Sequence, residues 1–342
     1  DISAQMSVLS TLAFGAIIVV GLRFAADLHE VRNPRPYLDL ATSRRHSETR
    51  PWSDVVVHVV IFRWMRPLLG DGWLFQVVLA RLNTKFLSWD ETFTSQGKDP
   101  TAEVLTFCRH WGVQLEPWVW SKPAAEYLTA NEFFSRAYAP EHAPEAHLGS
   151  SDVVAPSSSV VSWYPSARAL PQVLKNDAWT LEGVGIPHHE EYSAHQAAIL
   201  YLAPADYHCF HMPVGGTITH LEFLNQDRFS VTVKPYIFAS VNILTRNRRV
   251  VVVVESDSEP GLRVAMVLVG GVTVDSIRLD PAAKLGAAVS KGQRLGAFAR
   301  GGSSIALLFS KDMVLVPAAA VAVAAGMDFK LQVGRSFANW AG

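Results

Sequence analysis

From residue 197 onward the chain is a series of short runs rich in branched aliphatic residues, each closed by turn-forming residues. The runs are Ile199–Leu202, Thr217–Leu224, Val231–Val233, Val250–Val254, Val264–Val269, Val272–Leu279, Ile305–Phe309 and Met313–Val316. They are too short for amphipathic helices, and Val and Ile fit a pleated, buried surface. Regular spacing with Gly, Pro, Asp and Ser between runs predicts a β-rich sandwich or barrel-like domain with few helices. Pro140 to Ser159, rich in Pro, Ala and Ser, reads as a linker or an extended entry into this domain.

The N-terminal part is patterned differently. Met6 to Leu22 carries no charge, and the uncharged run extends back to Ile2. About twenty such residues cross a bilayer core, so the run reads as a transmembrane anchor, ahead of a signal-peptide core or a buried helix. A hydrophobic content of 49% agrees with a membrane segment. With Asp1 as its first residue, the sequence reads as one from which a targeting peptide has been removed. Gly72 to Trp89 has helical periodicity, and Asp99 followed by Pro100 is a helix start. The expected class is therefore α+β: a transmembrane helix at 1–23, a helical layer at 24–140, and a β-rich domain at 141–342.

Charge and cysteine content remove other classes. The net charge of −1 gives no electrostatic case for nucleic acid as a partner. Two cysteines, Cys108 and Cys209, make no disulfide framework and no cysteine zinc site. His188, His189, Glu190, Glu191 and His195 have spacings that suit a metal on a helix, but they match no zinc signature, and Pro187 points to a loop. No metal is expected.

Two stretches can carry chemistry. In Tyr201 to Pro213, His208 and His211 are three apart and can share a helical face, with Asp206 beside them for proton transfer. In Gly301-Gly302-Ser303-Ser304 the glycines and hydroxyls make either a plain turn or a site of self-attack. Attack by the Ser303 oxygen on the Gly302 carbonyl converts an amide to an ester. Elimination then leaves a pyruvoyl group in place of Ser303, whose carbonyl condenses with amines and accepts electrons as pyridoxal phosphate does.

With these residues in view the chain resembles the phosphatidylserine decarboxylase family. Asn131 to Arg136 resembles the family's "NEFF-x-R" segment, and Tyr201 to Pro213 its "L-x-P-x-D-Y-H-R-x-H-x-P" signature, with Cys209 where arginine is usual. Val269 to Ile277 resembles "VGAT-x-VGSI", and Lys291 to Phe298 precedes the GGSS site in the family's order. The resemblance implies decarboxylation of phosphatidylserine to phosphatidylethanolamine by a pyruvoyl group made from Ser303 by cleavage at 302/303. It implies His211 as the base for cleavage and His208 as a group that assists substrate binding or protonation. The family's usual eukaryotic address is the mitochondrial inner membrane, which is the expected location.

One departure alters that expectation. The aspartate that orients the base histidine lies in the family's "SP-x-D" motif, and the matching position here is Ser158. Serine cannot hold the charge that stabilises an imidazolium, so cleavage should slow by orders of magnitude. Asp152 and Asp206 are the candidates to replace it. The expectation is a homologue that is unprocessed and weakly active or inactive. The alternative is a structural or accessory subunit of a mitochondrial membrane complex that keeps the fold.

Overall fold

The computed structural model describes residues 20–29, 36–46, 59–60, 64, 77, 90–113, 119–170, 180–225, 243–259, 261–270, 276–299 and 303–341. The first eight strands are β1 Tyr37–Asp39, β2 Arg44–His46, β3 Val153–Val154, β4 Ser159–Tyr164, β5 Ala197–Leu202, β6 Cys209–His211, β7 Gly216–Leu224 and β8 Arg249–Ser256. The other eight are β9 Arg263–Gly270, β10 Ser276–Leu279, β11 Ala288–Val289, β12 Arg294–Ala299, β13 Ser303–Phe309, β14 Met313–Leu315, β15 Asp328–Leu331 and β16 Ser336–Trp340.

Ten of them form one sheet in the order β11-β7-β8-β9-β13-β5-β4-β15-β1-β2, and two three-stranded sheets have the orders β10-β12-β6 and β14-β16-β3. Neighbours run antiparallel except β1 and β15, which are parallel. The large sheet is covered on both faces. Leu200, Leu268, Ile305, Leu307 and Phe309 join one core with Phe210, Phe298 and Phe337 of the small sheets. Their strand neighbours Ile199, Val267, Val269, Ala306 and Leu308 join a second core with Tyr192 and Leu244. Successive strand residues point to opposite faces, so a strand buried on both faces must be apolar throughout, as β13 is after its two serines.

The expected α+β class with an N-terminal transmembrane helix is corrected. The described chain is β-rich, its helices are short, and among the described residues no helix is long and apolar enough to cross a membrane. Residues 2–19, most of the apolar run, lie outside the described residues. The helix seen at 20–29 carries an Arg23–Asp27 ion pair at 3.4 Å, and Asp27 Oδ2 accepts from the Trp64 indole at 3.2 Å. The span expected to be a helical layer also supplies β1 and β2 to the sheet edge. They were missed because Tyr-Leu-Asp and Arg-Arg-His show no apolar alternation.

Within that span, Pro100–Trp111 is a helix, with Asp99 Oδ2 accepting from the Ala102 amide at 2.8 Å. The helix expected at Gly72–Trp89 and the run Val231–Val233 lie outside the described residues, except for residue 77.

Candidate active site

The site starts from the short helix Ala130–Phe134, whose first turn is capped by Thr129 Oγ1 accepting from the Glu132 amide at 3.0 Å. Phe133 is locked among Trp120 and Tyr127, each with its ring centroid 5.0 Å away. Phe134 and Arg136 then face the loop between β5 and β6. Arg136 is buried, lies over the Phe133 ring, and donates from Nη2 to the carbonyls of Ala205 at 2.8 Å and Asp206 at 3.3 Å. Asp206 closes that loop, with Oδ2 accepting from the Ala203 amide at 3.0 Å and Oδ1 paired with Lys330 at 2.7 Å.

This frame fixes His208, which is wholly buried, with its ring against Phe134. Nδ1 lies 2.8 Å from the Asp206 carbonyl, an acceptor only, so Nδ1 carries the proton and Nε2 keeps its lone pair. Nε2 is buried with no hydrogen-bond partner among the described residues. Burial pushes the imidazole pKa down to about 3, and the nearby Arg136 adds to this against the opposing bond to Asp206. His208 is thus a neutral imidazole with one free, dry nitrogen.

His211, at the end of β6, is held at both ring nitrogens. Nδ1 donates to the Gly292 carbonyl at 2.8 Å and lies 3.2 Å from Glu145 Oε1. Nε2 accepts from the Tyr207 hydroxyl at 3.1 Å. Burial raises the Tyr207 pKa, with the neighbouring Cys209 adding to it, which keeps that hydroxyl a donor. Gly292 has φ +80°, and a side chain there would run into Leu148, so glycine sets the carbonyl that His211 uses.

The expected helical face does not form. His208 and His211 stand at the start and end of an extended segment, and their rings enter different surroundings. Ser158 is buried and its hydroxyl accepts from the Val333 amide at 3.2 Å. It is two residues from Pro156, whose carbonyl accepts from the His211 amide at 2.8 Å, so the position adjoins the His211 backbone. Neither expected substitute serves His211 here. Asp152 accepts from the Trp340 amide, and Asp206 is engaged with Ala203 and Lys330.

Ser303 opens β13, pairing with Leu202 of β5 and Gly270 of β9. Its side chain is fully buried and its Oγ has no hydrogen-bond partner among the described residues. Two chain paths tie it to His208. Leu202, its strand partner, leads through the Arg136-held loop to His208. The His208 carbonyl accepts from the Phe298 amide at 2.9 Å, and Phe298 on β12 is five residues before Ser303. Gly302 lies outside the described residues.

A cavity of about 890 Å³ opens beside this framework, lined in part by Tyr207, Asp206, Ser158, Arg136, Lys330 and Arg335. The His188–His195 cluster lies apart from it. His189–Tyr192 is a 3₁₀ turn, His195 pairs with Asp312 at 2.8 Å, and Glu191 pairs with Arg263 at 2.7 Å. No group of three metal-ligating side chains occurs among the described residues.

Sequence reasoning missed Glu145, Tyr207 as a partner of His211, and the buried position of Arg136. Glu145 sits in a 3₁₀ turn, Pro144–Ala146, inside the stretch read as a linker. No local signal links it to a histidine 66 positions away in the sequence.

A family profile described as phosphatidylserine decarboxylase matches residues 130–339. A phosphatidylserine decarboxylase proenzyme of Chlamydia trachomatis serovar L2 is 32% identical over 223 residues, covering 63% of this chain and 71% of the relative. A proenzyme of the same name from Nitrosococcus oceani is 31% identical over 234 residues, covering 62% and 74%. One from Shewanella baltica is 29% identical over 263 residues, covering 70% and 86%.

Proposed function

The chain belongs to the phosphatidylserine decarboxylase family, and from that membership we propose that it is a proenzyme that cuts itself between Gly302 and Ser303 and then decarboxylates phosphatidylserine. The observation that carries this reading is the Ser303 hydroxyl, fully buried and without a hydrogen-bond partner among the described residues, in the GGSS stretch that resembles the family's cleavage site. An unpaired buried hydroxyl costs about 1–3 kcal/mol and is expected where a group is kept for reaction.

In the cleavage, Ser303 Oγ bonds to the Gly302 carbonyl carbon and gives its proton to His211 Nε2. The carbon–nitrogen bond then breaks and the Ser303 nitrogen takes a proton, leaving an ester. Loss of the Ser303 Cα proton expels the Gly302 carboxylate. Water then replaces the nitrogen, released as ammonia, and the second chain begins with a pyruvoyl group. The residues present fit that group: its precursor Ser303 is a buried, unpartnered hydroxyl, and its strand neighbours lead to His208. The group supplies an electrophilic carbonyl that captures the substrate amine and draws off the electrons freed with carbon dioxide. His208, neutral with its Nε2 lone pair uncommitted, would accept a hydrogen bond from the substrate amine and so orient the substrate at that group. For His211 to act, the Tyr207 hydroxyl must give up Nε2.

Ser158 favours a second reading, in which the chain stays whole and serves as a structural subunit. A denaturing mass measurement on the native protein separates them. The first reading expects a cut after Gly302 and a fragment that starts at residue 303 with a pyruvoyl mass. An intact chain after prolonged incubation overturns it in favour of the second.

A further inference from the structure

The family's orienting aspartate is replaced by Ser158, yet His211 is not without a carboxylate. We infer that Glu145, from the 3₁₀ turn Pro144–Ala146, is the positioning residue that orients His211 and stabilises its protonated form during self-cleavage. The inference rests on the cleavage proposed above and names a residue from a different part of the chain.

Three observations support it. Glu145 Oε1 lies 3.2 Å from His211 Nδ1, the nitrogen that carries the proton in the neutral ring. The same oxygen accepts from the Arg294 backbone amide at 3.0 Å, which fixes the carboxylate to β12. The Glu145 carboxyl is held below the usual carboxylate range: burial pushes it up, but the bonds from His211, its own backbone and Arg294 outweigh this. Gly292 also accepts from Nδ1, but a neutral carbonyl orients a ring without stabilising an imidazolium as a negative charge does. The carboxylate side chain is 41% exposed, so solvent screens its charge and its effect should fall short of a fully buried aspartate's.

Glu145→Gln keeps the size and one acceptor but removes the charge. The time course of cleavage at 302/303, read by mass, is expected to slow at least about ten-fold, with Glu145→Asp recovering part of the rate. Ser158→Asp in the Glu145→Gln chain is expected to restore cleavage, since it returns a carboxylate at the family position. The urea midpoint of Glu145→Gln is expected to fall only slightly, since the stability from its lowered carboxyl is screened at a side chain 41% exposed. Equal cleavage by the parent and Glu145→Gln overturns the inference and leaves the proposed function standing. A loss of rate that comes with a large fall in the midpoint and is not restored by Ser158→Asp also overturns it, because the role is then structural. If the parent does not cleave, the proposed function fails, and the pairing is decided in the uncleavable Ser303→Ala chain. There the His211 Nδ1 proton resonance should move on Glu145→Gln, and an unmoved resonance overturns the inference.

Discussion

The rings of Phe134 and His208 lie with their centroids 3.8 Å apart, tilted by 41°. This contact dries one face of an imidazole whose only hydrogen bond among the described residues is to the Asp206 carbonyl. It has a measurable effect on how stability responds to acid.

His208 is neutral in the folded protein down to about pH 3, whereas an unfolded histidine takes a proton near 6.5. Between those values the unfolded chain binds the extra proton. Stability is therefore full above about pH 6.5 and falls as the pH drops towards 3. At pH 4.5 the loss from this one group is on the order of 2–3 kcal/mol. Urea unfolding of the Ser303→Ala chain at pH 7.5 and 4.5 should show this loss, and His208→Gln should make it smaller. Identical pH dependence in both chains would remove His208 as the cause.

Arg136 holds the Ala205 and Asp206 carbonyls from a buried position. Arg136→Ala leaves both without that donor and is expected to cost about 2–4 kcal/mol in urea unfolding. Arg136→Lys should recover little, since one ammonium cannot reproduce a planar fork lying on the Phe133 ring.

Tyr207 occupies His211 Nε2 in the uncut chain. Tyr207→Phe frees that atom, so the 302/303 cleavage rate is expected to match or exceed the parent's. A rate at least about ten-fold slower would make the hydroxyl a proton relay instead.

Cys108 and Cys209 are buried, and burial raises both thiols above their ordinary range. Iodoacetamide at neutral pH should leave both unmodified in the native protein and label both after unfolding in guanidinium, as read by mass. Rapid native labelling of Cys209 would contradict the packing of its Sγ against the Ser135 and Arg136 carbonyls.

What could be read in advance followed the physics of each segment. The runs at Val250–Val254, Val264–Val269 and Ile305–Phe309 became β8, β9 and β13 because strands buried on both faces must be apolar. β15, Asp-Phe-Lys-Leu, was not legible. Its stability comes from β1 and β4, which flank it in space but lie far away in sequence. The histidine pair could be picked out by its spacing, but that spacing suggested a helix. Extended β6 separated the rings and gave each its own partners. Glu145 was hidden because a 3₁₀ turn in a Pro- and Ala-rich stretch looks like a connector, and only its docking against β12 places it beside His211.

The place of β13 in the large sheet bears on what happens after a cut before Ser303. That strand lies between β5 and β9, and the fragment 303–342 also holds β14, β15 and β16, so its strands are threaded through two of the sheets. The two pieces would stay together without a covalent link, and neither could leave without opening the centre of the fold. Melting of the processed protein would then be a dissociation, with a midpoint that rises with protein concentration, while the uncut chain would melt at one temperature at any dilution.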